Sequence, residues 1–196
     1  IGFFAHLCEI LLPIRDKKEL AIQPLEPHLL ATPSMALDQV IQTLRGMVSD
    51  SWHMVDKAVN SHFLEAKVDQ KSEDALAEEE KRIDRLQAEI TNYLVRITRR
   101  NLTHPQSELV PLLMHCTNDA ERIADHTANI LKLTARLMKL EKGMSESARA
   151  DLEKIWALLD EEARNVIEAL GSTDAEKVAC ALKSERKINK LTDKYE

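Results

Sequence analysis

The residues best suited to chemistry lie in one stretch, Asn118-Asp119-Ala120-Glu121-Arg122-Ile123-Ala124-Asp125-His126, followed by Asn129. Four residues advance an α-helix by ~400°, so Glu121 and Asp125 stand ~40° apart on one face and can offer both carboxylates to one site. Asn118 and Asn129 flank that stripe, and Glu80 and Asp84 repeat the acidic spacing earlier in the chain. If the two helices pack side by side, four carboxylates converge. Hard oxygen donors in such numbers suit Mg²⁺, Ca²⁺, Mn²⁺ or oxidised iron. The same spacing is also ordinary on solvated helices, where Arg122, Lys81 and Arg82 would each hold a neighbouring acid in a weak surface pair. His126, at the margin of an apolar face, reads as a boundary histidine rather than a ligand.

Other chemistries lack their residues. No Glu is followed by His three positions later, as a ferritin-like di-iron core requires. Four glycines, spread apart, cannot form a phosphate loop, and no local signature of serine or cysteine nucleophiles is present. Cys8, Cys116 and Cys180 are far apart and odd in number, which excludes a disulfide framework and a thiolate zinc site; buried apolar roles are expected for them. The net charge of −6 disfavours nucleic acid, whose phosphates need a basic face. An enzyme is not expected.

The elements that must position the acids are helices. Of 196 residues 44% are hydrophobic and only 4% aromatic, with four Gly and six Pro, too few turn and strand formers for a β fold. The chain is all-α. Four of the six prolines fall within residues 1–33, which read as a connector. Its greasy start over 1–14, broken by His6 and Glu9, is too short for a membrane span and suggests an excised fragment. The fragment itself is expected to be soluble.

Helix one follows, capped by Thr32 or Ser34, with Leu37, Ile41, Leu44, Val48, Ser51, Val55 and Ala58 on one stripe. Helix two sets Leu76, Ile83, Ile90 and Ile97 at sevens, with Leu86 and Tyr93 between, and ends near Asn101. Helix three, capped by Ser107, runs to Gly143 with Leu112, Cys116, Ala120, Ile123, Ile130, Thr134 and Leu137 inward. Helix four spans about 145–170, with Leu152, Ile155, Leu159, Val166 and Leu170 inward, and helix five runs from Asp174 to the end with Val178, Ala181, Ile188, Leu191 and Tyr195. Met35, Met47, Met54, Met114, Met138 and Met144 are expected as core filler.

An internal repeat orders these helices. Glu80-Lys-Arg-Ile83-Asp84-Arg-Leu86 on helix two returns as Glu185-Arg-Lys-Ile188-Asn189-Lys-Leu191 on helix five. A three-helix unit is therefore used twice, over 34–140 and 141–196, the second copy stopping after two helices. That leaves an apolar seam around Ile188, Leu191 and Tyr195 for a partner or a second copy to cover.

The segment Glu121-Arg122-Ile123-Ala124-Asp125-His126 to Asn129-Ile130 resembles the Glu-Arg-Ile-Gly-Asp-His-x-x-Asn-Ile signature of the PhoU family of phosphate-transport regulators. The repeated Glu-x-x-Ile-Asp motif is similar to that on the family's second and fifth helices. Residues 24–37 resemble the linker between the membrane part of bacterial sodium/phosphate cotransporters and a cytoplasmic PhoU-like domain. The resemblance implies two PhoU-like three-helix bundles, the second lacking its last helix here. It implies a regulatory role in phosphate transport at the cytoplasmic face of the membrane, with the transporter domain as partner and a homodimer as the assembly. It also implies a metal cation (iron, zinc, manganese, magnesium or calcium) held by Glu-x-x-x-Asp pairs, which in this sequence are Glu80, Asp84, Glu121 and Asp125. Asn189 replaces the acid in the second unit. The alternative is a helical interaction or dimerisation module with no metal role.

Overall fold

The computed structural model describes residues 24–140 and 143–172, together with positions 176, 177, 179, 180, 183 and 186. The described chain is all-α. A 3₁₀ turn, Pro27–Ala31, leads into α1 (Pro33–Lys57), which widens into a π-helical stretch, Ala58–Phe63. Then come α2 (Gln70–Thr98), α3 (His104–Leu137) and α4 (Glu146–Ala169). Residues 1–23 and most of the expected helix five, with Cys8, Ile188, Leu191 and Tyr195, lie outside the described residues; the six described positions of 176–186 are helical.

The apolar stripes become the core of a bundle of α1, α2 and α3, in which α3 lies along both other helices. Every stripe residue expected on helix one and helix two is buried, with Leu44, Ile83, Ile90 and Ile97 removed from solvent. Each such side chain contributes about 1.5–3 kcal/mol by leaving water. On α3 the innermost positions are Leu113, Cys116, Thr117 and Ala120, whereas Leu112, Ile123, Ile130 and Leu137 are half-buried at the seam. The buried face is thus rotated slightly from the expected one. Thr117 and Thr134 enter it because their hydroxyls donate to the Leu113 and Ile130 carbonyls one turn back.

The helix ends show why the boundaries differ from expectation. Pro33 opens α1, since its missing N–H would have no partner there in any case. Neither Thr32 nor Ser34 supplies a side-chain cap: Thr32 stands at the cap position without one. α3 starts at His104, not after Ser107, because Thr103 takes the cap position and Gln106 Oε1 accepts from its backbone N–H at 3.0 Å. The Ser107 hydroxyl donates instead to the His104 carbonyl. Helix four begins close to its expected start, with Ser145 Oγ accepting from Ala148 N–H. The segment before α1 is fastened to the bundle: Gln39 bonds both Glu26 N–H and the Pro24 carbonyl, and Tyr93 donates to the Glu26 carbonyl at 2.7 Å.

Some side chains fall outside their expected places. Met47 and Met54 are core, but Met35 is 53% and Met138 49% exposed, because each sits at a helix end beyond the reach of a packing neighbour. Cys116 is buried as expected, and Cys180 is exposed. α4 is the loosest helix. Leu152, Ile155, Leu159 and Val166 are only half-buried, because α4 rests chiefly on α1. The contact it makes there is reciprocal. Trp52 Nε1–H donates to Asp160 at 3.0 Å and Trp156 Nε1–H donates to Asp56 at 3.1 Å, while the two rings stack at 4.9 Å. Such crossed pairing requires α1 and α4 to run antiparallel about a local two-fold axis. Arg149 extends the junction by donating to Glu65 at 2.8 Å.

Candidate metal centre

Two of the packed helices supply the acids. α2 is amphipathic, with Ile83 and Leu86 inward, so Asp84 is carried to the exposed side of the α2–α3 seam. α3 turns Ala120 and Ala124 into the core, which leaves the adjacent Glu121 and Asp125 facing the same seam. Asp84, Glu121 and Asp125 each bring one carboxylate oxygen within 4.8 Å of the other two. The seam is held just beyond them by Gln87, whose amide donates to Asn118 at 3.0 Å.

Glu80, the fourth expected ligand, stands outside that trio but close enough to feel it. Burial, then the charges of Asp125 and Asp84, hold its carboxyl above the ordinary range. Glu121 is raised likewise, first by burial and then by Asp125 and Asp84, with a hydrogen bond shared between the Glu121 and Asp125 carboxyls. Unlike-charged relief comes only from a distance, with Lys132 and Lys81 acting on Glu80 and Arg122 on Glu121.

The three cations adjacent in sequence are committed elsewhere. Lys81 pairs with Glu78 at 2.7 Å, Arg82 bridges Glu79 and Asp50, and Arg122 leans toward Asp119 at 3.8 Å. The weak surface pairs that could have neutralised Glu80 and Glu121 are therefore not formed. None of the four acids has an ion pair among the described residues. Four clustered acids with no ion pair among the described residues disfavour one another's ionisation, and a hard cation is what such a donor set fits: all oxygen, no thiolate, and carboxylates whose mutual repulsion a positive ion would reverse.

The remaining signature residues have other surroundings. Asn129 is exposed, and His126 is exposed beside Asp119 and Arg122 at the edge of a cleft of about 300 Å³ between α1, α3 and α4. The Trp52–Trp156 junction is absent from the sequence-based site, though a signal for it exists. Arg45, Trp52 and Asp56 recur at identical spacing as Arg149, Trp156 and Asp160, an Arg-x6-Trp-x3-Asp repeat that the apolar periodicity conceals.

No curated protein and no solved structure gives a significant match to the chain. Residues 44–134 match the family model described as the PhoU domain, a span that runs from Leu44 on α1 through all of α2 and nearly all of α3. The matched span contains all four acids, and the family is a regulatory one associated with phosphate transport. The three-helix bundle that carries the acidic cluster is therefore a PhoU-like domain.

Proposed function

We propose that this domain regulates phosphate transport through a cation held by Asp84, Glu121 and Asp125, with Glu80 as an adjacent fourth donor. The single observation that supports the reading is the convergence of three carboxylate oxygens from two helices within 4.8 Å, beside a fourth acid, with no ion pair to any of them among the described residues. When bound, the cation supplies positive charge that ties α2 to α3. The chain's own residues do the rest. Asp84 is the contribution of α2, Glu121 and Asp125 that of α3, and the Gln87–Asn118 hydrogen bond keeps the two helices in register.

In this reading the role is docking and not catalysis. The bundle binds the membrane domain of a phosphate transporter, in the same polypeptide or the same complex, at the cytoplasmic face, and it works as a homodimer. No helix among the described residues is long and apolar enough to cross a membrane, so the contact with the bilayer-embedded partner would be made from outside. Cation occupancy sets the α2–α3 surface charge and with it the docking.

The test is thermal melting with Mn²⁺, Fe³⁺ or Zn²⁺ against chelator. The reading expects a rise in Tm that disappears in the variant Glu121→Ala with Asp125→Ala. Equal melting with and without each metal would dismiss it.

A further inference from the structure

The α1–α4 junction holds a second polar cleft, about 470 Å³, on the side of the tryptophan stack where Arg45, Ser49 and His53 follow one another along α1. Arg45 is half-buried there. Its Nε is buried without a hydrogen-bond partner, and among the described residues its guanidinium makes no ion pair. A buried guanidinium N–H left unpaired is costly, and the cost falls on a group that is always charged.

The Arg-x6-Trp-x3-Asp recurrence gives Arg45 a counterpart. Arg149 occupies the same place in the second unit, and it is engaged on both sides, donating to Glu153 at 3.0 Å and to Glu65 at 2.8 Å. At the same spacing in the first unit, Ser49 stands where the second has Glu153, and the position matching Glu65 by the same offset of the sequence is Ala169. Two carboxylates that satisfy one arginine are thus replaced by a hydroxyl and a methyl at the other. The other acids of the cleft are occupied: Asp56 and Asp160 accept from the tryptophan indoles, Asp160 also pairs with Arg164 at 2.6 Å, and Glu168 pairs with Lys177 at 3.3 Å.

We propose that this cleft binds a small oxyanion, which takes the place the missing carboxylates hold in the second unit. Arg45 supplies the charge, the Ser49 hydroxyl donates a hydrogen bond, and His53, one further turn along, closes the exposed side. The inference stands apart from the metal reading, since it concerns other helix faces and another charge.

The test titrates the full chain at low ionic strength with inorganic phosphate, sulfate and acetate in turn, by calorimetry and by the fluorescence of Trp52, which lines the cleft. At least one anion binds saturably. Preference for phosphate and sulfate assigns a tetrahedral oxyanion, and preference for acetate assigns a carboxylate. Arg45→Gln weakens binding by about tenfold or more, and Arg149→Gln leaves it unchanged. Ser49→Glu, which rebuilds the second unit's pairing inside the first, abolishes binding while the far-ultraviolet circular dichroism stays that of the wild type. No saturation by any of the three anions up to about 10 mM overturns the proposal, as does binding that survives both Arg45→Gln and Ser49→Glu.

Discussion

Trp52 on α1 and Trp156 on α4 stack face to face, with ring centroids 4.9 Å apart and planes 9° from parallel, and each indole donates to the aspartate one turn beyond the other. This pair is the fastening between the PhoU-like bundle and α4, whose Leu152, Ile155, Leu159 and Val166 are only half-buried. Trp156→Ala should therefore cost about 3 kcal/mol, because it removes a large ring and leaves Asp56 without its indole donor. Trp156→Phe keeps most of the packing and should cost about 1–2 kcal/mol, the worth of the lost hydrogen bond. Urea denaturation with matched m-values measures both.

The acidic seam makes a prediction about pH. Glu80 and Glu121 have carboxyls raised above the ordinary range by burial and by the charges of Asp84 and Asp125. A group that binds its proton more tightly when folded stabilises the fold while protonated, so that stability is lost as pH rises above the ordinary carboxylate value of about 4.3. In chelator, the Tm should thus be higher near pH 5 than near pH 7. Glu121→Gln should raise the Tm at pH 7 and flatten this dependence. Melting curves across that window decide the point, and an unchanged slope in Glu121→Gln would count against the repulsion.

The segment before α1 depends on Tyr93, whose hydroxyl donates to the Glu26 carbonyl. Tyr93→Phe leaves the ring in the core and removes that bond alone. Stability should fall by about 1 kcal/mol, and hydrogen exchange should quicken selectively at Leu29 and Thr32, whose amides close the 3₁₀ turn. Exchange followed by mass spectrometry over residues 24–33 reads this directly.

The inward faces of the first two helices were legible because their stripes obey one period from end to end: Leu37 to Ala58 and Leu76 to Ile97 need only local spacing to be read. The acids were legible for the same reason, since Glu121 and Asp125 share a face in any α-helix. That Asp84 rather than Glu80 joins them depends on the register of α2 against α3, which no local pattern encodes. The α3 cap turned on a choice between Thr103 and Ser107, both competent residues, and was settled by Gln106 reaching back to the Thr103 amide. The tryptophan junction escaped because two aromatics about a hundred residues apart leave no periodic trace; only the Arg-x6-Trp-x3-Asp recurrence, with Arg45 matching Arg149, makes it visible.

The central claim is that the seam between α2 and α3 holds a cation. Its most direct test is calorimetric titration of the chelator-treated chain with Mn²⁺, in the wild type and in the variant carrying Asp84→Asn, Glu121→Gln and Asp125→Asn. The account predicts saturable binding to the wild type and a loss of affinity of about a hundredfold or more in the triple variant, with its melting temperature in chelator equal to or above that of the wild type. Absence of saturable binding to the wild type, or equal binding by the triple variant, would contradict it.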